Sequence, residues 1–295
     1  MVKFENNPDK VMSLKYIVMI LIVGMITIYP QNELNTVRSL KVDSLKSEIT
    51  VYFTPGYRER AEYLAEILIE AKYFFKDSLG VEYNFSVAVL DEAQWNELNA
   101  PYPYGLPWNN TYKPYVIFMP ADTTHGAVID DLSRLLNRND ANRYVDNIGF
   151  HEVGHTYVCE YVYDGRFTDP EIPFRWFDEL MANYFCYAFL RSAHPEMADL
   201  MYDVASRNYD TADFTFTTLK QFEENYFELP PANYHWYQIT FIKKVIDVYS
   251  KHGLNFIREV KEKISWDKEL TTEELLLSLE EIFPGFLEWE NQLSK

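Results

Sequence analysis

The spacing of apolar positions changes character three times along the chain. Tyr16 to Tyr29, YIVMILIVGMITIY, is an apolar run of 14 residues with Lys3, Lys10 and Lys15 on its N-terminal side. A secretory hydrophobic region spans ~7–15 residues and a membrane-crossing helix ~20, so the length favours an export signal or signal anchor. The chain continues TIYPQNE, with no small-x-small cleavage pattern and no cysteine for lipid attachment after the run. Lysines on the N-terminal flank stay on the cytoplasmic side, which sends everything after Pro30 outward. Residues 1–30 are thus expected to be a signal peptide or signal anchor, and the mostly polar 31–47 a linker. The folded domain, 48–295, is expected to be extracytoplasmic, secreted or membrane-anchored.

From Glu48 the pattern turns to short strands around a helix. Ile49 to Phe53 is rich in β-branched and aromatic residues and stops at Pro55-Gly56. Between 58 and 79 apolar residues fall at Ala61, Leu64, Ala65, Leu68, Ala71, Phe75 and Leu79, a helical spacing closed by Gly80 as C-cap. Phe85 to Leu90 and Tyr115 to Met119 are further strands. The aromatic, Pro-rich PYPYGLPWNNTYKP between them has the make-up of a binding loop. After residue 121 three-to-four spacing takes over, predicting helices near 126–138, 143–163, 175–193, 196–207, 232–251, 254–265 and 271–282. No internal repeat or low-complexity tract interrupts it. The pattern predicts an α+β fold, with a small α/β lobe over 48–120 and a mainly helical lobe over 121–295.

Composition narrows the class. A chain of 295 residues can bury a core without disulfides, and two cysteines exclude both a cysteine-dense module and a four-cysteine zinc site. A formal charge of −18 argues against nucleic acid as a partner and against a polybasic membrane surface.

The chemistry concentrates at His151-Glu152-Val153-Gly154-His155. On a helix, positions i and i+4 share a face, so both imidazoles can reach one zinc ion while Glu152 contacts its water. Apolar Ile148, Phe150, Val153 and Val158 suit a packed helix. Gly154 costs a helix about 1 kcal/mol against alanine, which points to another chain segment passing close by. A catalytic zinc needs a third protein ligand and an open fourth position. Glu179, in WFDELMANYF and separated from His155 by 23 residues, is the best candidate, because the loop YDGRFTDPEIP lets the chain return on a second helix. Asn183, at i+4 from Glu179, is a candidate to hydrogen-bond a ligand imidazole, and the neighbouring Asp178 is a further candidate to orient the ligands.

HEVGH followed by WFDELMANYF resembles the gluzincin metallopeptidases, whose zinc is held by His, His and Glu. The second motif is similar to the W-x-x-E-x-x-A pattern of aminopeptidase N and leukotriene hydrolase relatives, and the shorter peptidase MA-like proteins are closer in size. The later segment NYHWYQ, running into FIKKVIDVYSKHG, extends the resemblance to about residues 48–265, although only the two zinc motifs are specific. The resemblance implies a zincin-like catalytic domain, zinc ligands His151, His155 and Glu179, and Glu152 as general base. In such enzymes zinc lowers the pKa of its water to about 7, and the base moves the water's proton to the leaving amine. A tyrosine or histidine stabilises the oxyanion in gluzincin relatives. Tyr234 and Tyr237 are the candidates here, with His235 a weaker one, and spacing does not choose between them.

The chain lacks the G-x-M-E-N signature of the aminopeptidase branch, so recognition of free N-termini is not implied. Membrane-embedded HExxH proteases share an E-x-x-A-[DN] motif, but with several spanning helices and a wider gap. Deformylase-type enzymes carry a cysteine ligand upstream of HExxH, and no cysteine precedes His151. Cys159 and Cys186 are expected to be two buried free thiols, neither disulfide-bonded nor metal ligands. His125, His194 and His252 have no metal-type partners at helical spacing and are expected at the surface or in caps. The expected function is zinc-dependent hydrolysis of a peptide or protein substrate. The alternatives are a catalytically silent binding protein on a peptidase fold and a zinc hydrolase of a non-peptide substrate.

Overall fold

The computed structural model describes residues 33–110, 112–124, 126–136, 142–167, 171–206, 214–266 and 270–293. The apolar run Tyr16 to Tyr29 and His125 lie outside the described residues. Among the described residues, no helix is long and apolar enough to cross a membrane. The architecture is α+β: one five-stranded sheet and a larger helical body.

The chain enters through α1 (Glu33–Ser39) and β1 (Asp43–Lys46), continues through β2 (Thr50–Phe53) and α2 (Arg58–Leu79), and reaches β3 (Phe85–Leu90). A short α3 (Glu92–Glu97), a two-residue β4 (Trp108–Asn109) and β5 (Tyr115–Pro120) complete the sheet. The strand order is β1-β2-β3-β5-β4, parallel at β2/β3 and β3/β5 and antiparallel at both edges. Alternation along the strands separates two cores. Val51, Val87, Val89, Ile117 and Met119 pack in the main core with the helices. Ala88, Leu90, Val116 and Phe118 face a smaller core on the opposite side.

The three strands and the long α2 match the sequence expectation, including Gly80 in the left-handed conformation at the α2 C-cap. The linker expected over 31–47 is corrected by the structure. Residues 33–46 form α1 and β1, and Leu34, Val37 and Leu40 are buried in the smaller core. Three apolar residues in a short polar stretch are too weak a periodic signal. β1 is held instead by backbone pairing, Asp43 to Lys46 against Phe53 to Thr50.

The helical body begins with α4 (Ala127–Leu136) and α5 (Asn142–Tyr157), the latter ending in a π-helical turn over Val158–Val162. Next come α6 (Arg175–Ala193), α7 (Pro195–Ala205), α8 (Leu219–Asn225), a 3-10 turn over Tyr226–Glu228, and α9 (Pro231–His252). The body closes with α10 (Asn255–Lys263), α11 (Thr272–Ile282) and α12 (Phe286–Leu293). The single helix expected over 143–163 is therefore α-helical only to Tyr157. α6 is the central helix, buried from Trp176 to Leu190 without an exposed stripe. A Cβ built on Gly154 would stand 2.4 Å from the carbonyl oxygen of Ala182, so α5 and α6 touch backbone to backbone there. The close passage inferred from that glycine is present, and the passing segment is the second motif itself.

Candidate metal centre

Helical periodicity on α5 stacks His151 and His155 one turn apart, with ring centroids 4.6 Å apart. Their Nε2 atoms face each other at 3.0 Å. From α6, Glu179 brings Oε2 to 3.1 Å from His151 Nε2 and 3.7 Å from His155 Nε2. One donor atom from each residue lies within 4.8 Å of the others, and this group could hold a metal ion. Two imidazole nitrogens and one carboxylate oxygen suit a transition metal of zinc type. Glu179 is only 3 % exposed, so the face it shares with the histidines is largely shielded from water.

Neighbouring groups fix the orientation of each donor. His155 Nδ1 lies 2.6 Å from Asp178 Oδ2, which assigns a proton to Nδ1 and turns Nε2 toward the cluster. Glu179 Oε1 accepts from Tyr226 Oη at 2.8 Å and Tyr234 Oη at 2.9 Å. Glu179 Oε2 accepts from Gln238 Nε2 at 2.8 Å. Asn183 Nδ2 donates to the Glu179 carbonyl and to Gln238 Oε1, both at 2.9 Å. Glu152 Oε2 accepts from Asn109 Nδ2 at 2.6 Å, so the edge strand β4 holds the carboxylate next to the histidines.

The electrostatics follow from burial and these contacts. Burial favours a neutral Glu179, but the His151 hydrogen bond and both imidazoles outweigh it and hold the carboxyl well below the ordinary range. Glu152 goes the other way. Its burial raises it, with Glu179 adding to the shift and the histidines and Asn109 opposing it. Burial works against a charged His155, yet the Asp178 charge and hydrogen bond, helped by Glu179 and Glu152, push it up to about 10. Tyr226 and Tyr234 are raised well above the usual phenol value by burial and by the adjoining Glu179, so both remain proton donors.

The structure brings His151, Glu152, His155, Asp178, Glu179 and Tyr234 together. It does not bring Tyr237, whose buried hydroxyl donates to the Thr218 carbonyl at 2.8 Å. Asn183 is on the expected face, but its amide serves Glu179 and Gln238 rather than an imidazole. Tyr226, Gln238 and Asn109 were not anticipated. Gln238 lies one turn after Tyr234, and Asn109 falls in the loop read as a binding loop, so each had a partial signal. Tyr226 had none beyond being aromatic. Cys159 and Cys186 are buried and not disulfide-bonded, and the donor group contains neither. His194 and His252 each face one carboxylate, Glu70 at 2.9 Å and Glu259 at 2.8 Å.

No protein-family model matches the chain, and no curated protein or solved structure matches it significantly. Fold and site together define an α+β protein with a buried His-His-Glu group able to hold a metal ion.

Proposed function

We propose that the chain is a zinc-dependent peptidase of gluzincin type with a zincin-like fold, acting on peptides or proteins outside the cytoplasm. One observation carries this reading above the others. A half-buried carboxylate, Glu152, sits within electrostatic reach of His151, His155 and Glu179 and is held by Asn109. A group that only bound metal for structural reasons would have no use for that fourth residue. The fold is compatible, since the helix bearing His151 and His155 packs against β4 and β5 at the sheet edge.

His151, His155 and Glu179 are the residues that would hold the zinc. When bound, zinc supplies Lewis-acid polarisation of a peptide carbonyl and acidifies water. The protein's own groups do the rest. Glu152 takes the proton of the attacking water and delivers it to the leaving amine, a task favoured by a carboxyl that burial raises above its ordinary value. Asp178 keeps His155 in the tautomer that presents Nε2. The Tyr234 hydroxyl, protonated and directed at the site, is the donor for the substrate's developing oxyanion.

Two measurements test this together. Protein purified without chelators is expected to hold about one zinc per chain and to hydrolyse peptides, with activity lost to a chelator and restored by zinc. Glu152→Gln is expected to keep the metal and lose activity by roughly 100-fold or more. A chain that takes up no metal, or a Glu152→Gln variant with undiminished turnover, overturns the proposal.

A further inference from the structure

The two oxygens of Glu179 are treated differently by the protein. Oε2 faces both imidazoles and is steadied by Gln238 Nε2 at 2.8 Å. Oε1 is turned away and taken up by two phenols, Tyr226 and Tyr234, at 2.8 and 2.9 Å. Gln238 has little rotational choice, because Asn183 Nδ2 donates to its Oε1 and also to the Glu179 carbonyl. The closed path runs from the Glu179 side chain through Gln238 and Asn183 back to the Glu179 backbone. Tyr226 is fixed in turn by Arg175, whose guanidinium carbon lies 5.4 Å from its ring centroid, and by edge-to-face contact with Phe222 at 5.3 Å.

We propose that Tyr226 and Gln238, the latter set by Asn183, are positioning residues that make Glu179 a one-oxygen ligand. They present Oε2 to the metal and deny it Oε1. This rests on the metal-centre reading given above and adds to it a role for residues outside the ligand set. An ionised carboxylate has about four lone-pair sites and can chelate through both oxygens. Here the hydrogen bonds to Oε1 compete with chelation, which leaves room at the metal for water and substrate. With Tyr226 retaining Oε1, the Tyr234 hydroxyl can leave for a substrate without releasing the carboxylate.

The test uses the full folded chain with Zn2+ and Co2+ as probes, and reads metal affinity by chelator competition. Gln238→Leu, which removes the group that steadies the presented Oε2, is expected to weaken metal binding by roughly 10-fold or more, in the range found when groups orienting metal ligands are removed. Tyr226→Phe keeps the ring and its packing, so it remains informative should Gln238→Leu fold poorly. The visible absorption of bound Co2+ supplies a readout that a merely structural role would not move. In the Tyr226→Phe/Tyr234→Phe double variant, Oε1 is free to chelate, and the absorption is expected to weaken as coordination rises. Variants that bind metal as tightly as wild type, with unchanged Co2+ spectra, overturn the positioning role and leave the metal centre standing. A wild-type chain that binds neither ion overturns both.

Discussion

At the scale of single residues, His155 carries the largest consequence. Its folded pKa is pushed up to about 10, against 6.5 ordinarily, chiefly by the Asp178 contact that overcomes burial. A raised pKa contributes stability that is complete below the unfolded value and is lost as pH rises through the folded one. The metal-free protein is therefore expected to lose stability progressively between about pH 6.5 and 10, seen as a falling urea midpoint. Asp178→Asn should flatten that decline, and an equally steep decline in the variant would remove Asp178 as its source. The ligand residues were legible in the sequence because HEVGH and Glu179 obey helical spacing. Their partners were less so. Tyr226 and Gln238 reach Glu179 across 47 and 59 residues, and Asn109 reaches Glu152 across 43, distances at which only tertiary docking decides contact. Tyr234 and Tyr237 sit one turn apart on α9, yet one hydroxyl finds Glu179 and the other Thr218. Local periodicity contains nothing that separates them.

At the scale of elements, the α5–α6 contact should tolerate no side chain at position 154. The clash of an added Cβ is with backbone, the Ala182 carbonyl, which cannot rotate aside. Gly154→Ala gains about 1 kcal/mol of helix propensity, but overpacking costs typically ~1–3 kcal/mol, so net destabilisation is expected in denaturant unfolding. A neutral or stabilised variant would mean the helices can separate there. The start of α12 depends on a different device. Glu280, from α11, accepts the Gly285, Phe286 and Leu287 amides at 2.7 to 3.0 Å. These bonds, led by those from Leu287 and Gly285, lower its carboxyl below the ordinary value. Glu280→Gln is expected to cost about 1 kcal/mol near neutral pH, as lost helix caps do. A depressed carboxyl contributes stability that disappears as pH falls through its folded pKa, so wild type and variant should converge in acid. A gap that persists at low pH would point to packing instead. Long elements with many apolar repeats, α2, α6 and α9, were readable in the sequence. α1, β1, α3, β4, α8 and α12 were not, because four or fewer apolar positions set no period; β1 and β4 rest on strand pairing, and α3, α8 and α12 on the side-chain caps Asp91, Thr218 and Glu280.

At the scale of the whole molecule, charge and assembly matter most. Residues 156–230 hold 14 acids against 5 bases, a net of −9, half of the total −18, in the stretch that contains Glu179. Such a field raises the local concentration of cationic ligands and weakens with salt. Lys/Arg-rich peptides are expected to be cleaved faster than Asp/Glu-rich ones at low ionic strength, and the reverse preference would refute the steering. The burial of α6 from Trp176 to Leu190 has a consequence for folding. Glu179 projects from a helix that is enclosed only when α5, α9 and the turn after α8 have docked around it. The donor group therefore needs α5 and α6 docked on one another, and HEVGH alone supplies only two of its three members. An ion bound there would stabilise the native state alone, raising the midpoint of the helical body as a unit rather than tightening one local segment.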